Sequence, residues 1–80
     1  MEIKVLKHEK NRGGYFLNHK ALVEITGEFD LKENKEEIIN ETSIKVNYHP
    51  LGYGLYGGKI SKSAKEGQYI IVWETGTSAN

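Results

Sequence analysis

Tyr15-Phe16-Leu17-Asn18-His19-Lys20-Ala21-Leu22-Val23-Glu24-Ile25-Thr26-Gly27-Glu28-Phe29 carries the longest clean pattern in the chain. Tyr15, Leu17, His19, Ala21, Val23, Ile25 and Phe29 share one parity, while Asn18, Lys20, Glu24, Thr26 and Glu28 take the other. A period of two is that of a strand with one face in a core and one in water. The run is long for one strand, so a bulge or bend is expected near 18–20 or at Gly27. His19 travels with the core residues, and the usual outcome for such a histidine is a hydrogen-bonded position, either buried or at an edge.

Upstream, Met1, Ile3 and Val5 alternate with polar neighbours, which predicts a first strand over 1–7. Asn11-Arg12-Gly13-Gly14 then supplies the glycines a tight hairpin needs. Downstream, Asp30 is a candidate N-cap with Glu33 at the reciprocal capping position, predicting a short helix over 31–40. Ile44, Val46 and Tyr48 suggest a further strand over 43–48, which Pro50 ends. Two more strands are expected over 58–61 and 68–75. The second, QYIIVWET, holds the only tryptophan and is apolar on both faces, which places it centrally in a sheet. Residues 76–80 read as a frayed polar tail. The expected fold is a small single α+β domain of about five mostly antiparallel strands and one short helix, with a small β-barrel as the alternative.

Eighty residues leave room for one core. With no cysteine, disulfides, thiolate metal sites and cysteine nucleophiles are excluded, which fits a cytoplasmic setting. No apolar stretch approaches a membrane span, and the charged N-terminus lacks a signal-peptide core. The net charge is zero, with a basic first quarter, an acidic block over 21–42 and a mildly basic remainder, so no overall field draws the chain toward nucleic acid. Arg12 is the only arginine against ten lysines, which removes most of the planar forks that read guanine or clamp phosphate.

Gly52-Tyr53-Gly54-Leu55-Tyr56-Gly57 satisfies G-x-G-x-x-G. A dinucleotide fingerprint needs those glycines between a parallel strand and a helix, and the residues after Gly57 read as a hairpin instead. The glycines are better explained as bends or close backbone approaches. Around them stand His49, Leu51, Tyr53, Leu55 and Tyr56, a cluster of the kind protein-binding surfaces use because tyrosine offers area at low rotamer entropy. The competing explanation has Tyr53 and Leu55 capping the core. Lys59, Lys62 and Lys65 beside Tyr53 and Tyr56 make the best case for nucleic acid, though hairpin lysines also keep strand edges from pairing. Glu33, Glu36, Glu37 and Glu41 form an acidic face that suits either a basic partner or plain solvation.

The three histidines have no metal-ligand spacing, no serine sits in a nucleophile elbow, and Asp30 reads better as a cap than as a catalytic acid. No catalytic residue, cofactor or metal is therefore expected. The sequence favours a non-enzymatic module that binds and modulates or inhibits another protein through 49–58. Small cysteine-free, lysine-rich chains of this kind are often phage or mobile-element products acting on a host protein. A small nucleic-acid- or nucleotide-binding domain is the alternative, and a dimer through a strand edge is compatible with either.

Overall fold

The computed structural model describes residues 1–14, 16–46 and 55–76, with Leu55 and Tyr56 described by backbone alone. Four strands, β1 (Glu2–Gly13), β2 (Phe16–Thr26), β3 (Leu55–Lys62) and β4 (Gln68–Gly76), form one open sheet in the order β1-β2-β4-β3. Every neighbouring pair is antiparallel. Helix α1 (Lys35–Lys45) joins β2 to β3, and β4 returns to fill the place between them. The α+β expectation holds, with four strands among the described residues where the sequence suggests about five, and the open sheet departs from the barrel alternative.

The alternation in β2 survives intact. His19, Ala21, Val23 and Ile25 are buried, and their even-numbered neighbours are exposed or half-buried. No bulge interrupts β2, and Gly27 ends it at φ 92°. The irregularity lies in its partner. Val5 pairs with Val23 but Lys7 pairs with Leu22, leaving Leu6 as an extra residue. A period-two strand that gains one residue changes phase. Ile3 and Val5 face the core before the bulge, and His8 faces it afterwards, opposite Ala21.

β4 is central, as its composition predicts, with Ile71, Trp73 and Thr75 buried and Ile70 and Val72 half-buried behind them. The core gathers Ile3, Ala21, Val23, Ile25, Ile71 and Trp73 of the sheet against Ile38 and Ile39 of α1. Phe29 closes one end, edge-on to Tyr69 at 5.7 Å.

The helix starts later and runs further than 31–40. Asp30 Oδ1 accepts from the backbone of Lys32 and Glu33, at 2.8 and 3.0 Å, and so caps a preceding turn. Asn34, not Glu33, is the reciprocal partner: its Oδ1 accepts the Asp30 amide at 2.9 Å. Residues 43–45, expected to begin a strand, are the last turn of α1. The inward stripe is Ile38, Ile39, Thr42 and Ser43, with Val46 following. Two of its members are hydroxylic, which conceals the helical period. Thr42 tolerates burial because its hydroxyl donates to the Ile38 carbonyl at 2.7 Å. Ile44, which the strand pattern puts on one face with Val46 and Tyr48, is 48 % exposed on the helix.

Gly58 shows what part of the glycine-rich stretch does. The register of β3 against β4 breaks between Tyr56 and Lys59, so Gly57 and Gly58 form a second bulge. At Gly58, φ is 134° and a Cβ would lie 2.6 Å from Ile39 Cδ1. The missing side chain is what lets α1 approach β3.

Candidate functional site

The sheet separates two polar regions, one on the face α1 leaves uncovered and one inside. On the uncovered face, Leu22, Ile70 and Val72 form a half-buried centre at adjoining registers. Lysines 4, 7, 20 and 59 and glutamates 2, 9, 24 and 74 occupy the same face by strand alternation. Lys4 lies opposite Glu24 and Glu9 opposite Lys20, so charges of opposite sign face one another between β1 and β2. The Lys7–Glu9 ion pair, 3.2 Å long between largely exposed side chains, adds little to stability. A depression of about 420 Å³ opens here, with Glu9, Asn18, Lys20, Lys59 and Glu74 on its walls.

Inside, a hydrogen-bonded chain crosses three strands. His8 Nε2 and His19 Nδ1 share a hydrogen at 3.0 Å, and His19 Nε2 lies 2.7 Å from Thr75 Oγ1. The two imidazoles are 13° apart in plane with centroids 5.2 Å apart. At that separation, with the nitrogens in contact, they meet edge to edge and do not overlap. The Trp73 indole runs parallel to both, 4.8 Å from His19 at 9° and 5.9 Å from His8 at 17°. Its Nε1 is buried with no acceptor among the described residues, an omission that ordinarily costs about 1–3 kcal/mol.

Two proton arrangements satisfy the chain equally. In one, His8 Nε2 donates to His19 Nδ1 and His19 Nε2 donates to Thr75. In the other, Thr75 donates to His19 and His19 donates to His8. Burial, then the neighbouring His8, then Lys10 hold the His19 pKa down at about 4. Burial and Lys10 also lower His8. His19 is 2 % exposed and Thr75 4 %. A base–hydroxyl contact of this kind is one component of nucleophilic catalysis, but so enclosed a hydroxyl has no room for a substrate carbonyl.

His19 meets its expected fate. His8 was not legible as its partner, because the pairing depends on a phase change at Leu6 that the residues mark only faintly. The only signal was the lapse of alternation where Leu6 and Lys7 come after Val5. Of the expected partner-binding residues, His49, Leu51 and Tyr53 lie outside the described residues. Leu55 and Tyr56 are fixed only in register, opposite Thr75 and Glu74. The three candidate nucleic-acid lysines separate: Lys59 is on the uncovered face, Lys62 pairs with Tyr69 on the opposite one, and Lys65 is in the β3–β4 turn. Glu33, Glu36 and Glu37 are exposed and Glu41 is half-buried. Glu37 Oε1 also accepts from Asn34 Nδ2 at 3.1 Å, which gives it a capping role.

Among the described residues no group of three His, Cys, Asp or Glu side chains is arranged to hold a metal, and no helix is long and apolar enough to cross a membrane. Compared with protein-family models, with curated proteins and with solved structures, the chain finds no match.

Proposed function

We propose that this chain is a non-enzymatic module that binds another protein through the uncovered face of its sheet and modulates that partner by occupying its surface. The observation that carries the reading is the charge balance of this face: four lysines and four glutamates interleave around Leu22, Ile70 and Val72. A nucleic-acid surface needs an excess of positive charge to displace counterions. This face has none, and the separation of Lys59, Lys62 and Lys65 removes the stripe that would have supplied it. A protein surface of mixed charge with an apolar centre is the matching partner, since interleaved charges set register and orientation more than raw affinity. The 49–58 segment, with Tyr53 and Tyr56, remains the second candidate contact.

The test is affinity purification to identify a partner, then reconstitution of the purified pair. Leu22→Glu with Ile70→Glu is expected to weaken binding at least about tenfold while circular dichroism and melting stay close to wild type. Raising salt from about 50 to about 200 mM should change affinity by less than about tenfold, whereas a phosphate-binding surface would lose on the order of a thousandfold. Tyr53→Ala with Tyr56→Ala, measured alongside, apportions the loop. An interaction untouched by the face variant and lost steeply with salt would replace this reading with the nucleic-acid one.

A further inference from the structure

The inner histidine chain does something the core could have done without polar groups. Between residues 7 and 13 every β1 side chain is exposed except that of His8. Among the described residues, the half of β1 beyond the bulge joins the sheet through its backbone ladder and withdraws one side chain, His8, from water. The contact reaches past the neighbouring strand, through His19, to Thr75 of β4.

We propose that the His8–His19 pair is an acid-released latch, fastening the distal half of β1 to the sheet at neutral pH and freeing it when both imidazoles are charged. Lys7, Glu9 and Asn11 ride on the freed segment, so the same event dismantles one side of the uncovered face. Only this last clause rests on the binding proposal above.

The contact geometry sets the rule. With one nitrogen of each ring turned to the other at 3.0 Å, a single hydrogen can lie between them. One added proton is tolerated, because a charged ring can donate to a neutral one. Two are not, because N–H would then face N–H. The surroundings oppose even the first. Lys10, opposite His19, and Arg12 beyond it are the charged residues at the adjoining β1 registers of this face. On it β2 contributes Leu17 and Ala21, and β4 contributes Ile71, Trp73 and Thr75. β3 contributes Ile60, with Lys62 at the far end. Helix α1 turns Ile38, Ile39, Thr42 and Ser43 inward, and its Glu41 is half-buried. Residues 15, 47–54 and 77–80 include His49 but no Asp or Glu, so none supplies a carboxylate side chain as counter-ion.

Linkage fixes the sign. Both folded-state pKa values lie below the ordinary 6.5, so the unfolded segment binds more protons as pH falls. The latch is fully engaged above that value and gives way progressively toward about 4.

Amide hydrogen exchange on the intact wild-type chain, corrected for intrinsic rates, decides the matter between about pH 7 and pH 4. Amides of residues 7–13 are expected to lose at least about tenfold more protection than those of α1 and β4. An unchanged ratio between these regions, or loss of all of them in step, overturns the proposal. His8→Phe keeps a ring against Trp73 without the proton, and should make the ratio independent of pH. Acid loosening that persists in this variant also overturns the latch. Should His8→Phe fail to fold, the wild-type profile is decisive alone. No partner is needed for either measurement, so a failed latch and a failed binding face are separately visible.

Discussion

The two halves of β1 pair with the same strand in the same antiparallel sense, yet they are held differently. Before the bulge, Ile3 is 2 % exposed and packs with Val23, Ile25 and the helix. Beyond it, every side chain but His8 is exposed. The first half is fastened by apolar burial, which is non-directional and indifferent to pH. The second is fastened by a directional contact that depends on the protonation of two rings. One strand can thus be permanent at one end and conditional at the other. The extra residue at Leu6 divides the two regimes, because it sets which side chains reach the inner face.

The sharpest way to test this contrast is Ile3→Ala, which should reduce global stability by about 2–4 kcal/mol in urea unfolding, because it empties a buried site. A loss below about 1 kcal/mol would mean that the near half is no better packed than the far one.

Acid should produce the next largest effect, confined at first to the far half. Melting measured from about pH 7 down to pH 4 should show falling stability across the window in which His8 and His19 protonate more readily unfolded than folded. In a His8→Phe, His19→Leu background the slope should shrink. If the double variant keeps the wild-type slope, other groups govern acid sensitivity.

Deleting Leu6 restores an unbroken alternation and leaves Lys7 opposite Leu22 and His8 inward, opposite Ala21. Its expected signature is a retained latch: exchange protection over 7–13 close to wild type at neutral pH, with the same loosening in acid. Protection over 7–13 lost at neutral pH with α1 retained would show that the bulge itself, and not only the inward placement of His8, secures the far half.

Lys7→Ala closes the series. Its ion pair with Glu9 is solvent-exposed, so the change in stability should stay within about 0.5 kcal/mol. A larger loss would give the uncovered face a structural role and count against its being free to bind.

Strand β2 was legible throughout, since one buried face and one wet face impose a period of two on the residues themselves. The central position of β4 was legible for the same kind of reason, its apolar run leaving no face for water. The last turn of α1 was not. Burial of Thr42 and Ser43 breaks the apolar period, while Ile44 and Val46 imitate a strand until Val46 is seen to continue the helical stripe. The glycine-rich stretch could be separated from a nucleotide loop by the hairpin pattern of residues 58–75, where a dinucleotide site would need a helix. The duty of Gly58 in admitting Ile39 could not be read, because that contact joins residues 19 positions apart.

By itself, then, the sequence determined a small α+β domain, its longest strand, its central strand and a His19 that shares the core parity, all features written in local periodicity and composition. Only the tertiary structure decided that His8 meets His19, that Thr75 completes the chain and that α1 leaves one sheet face, of balanced charge, uncovered. Each of these depends on register between distant strands. A single extra residue resets that register, and residue order along one strand does not record it.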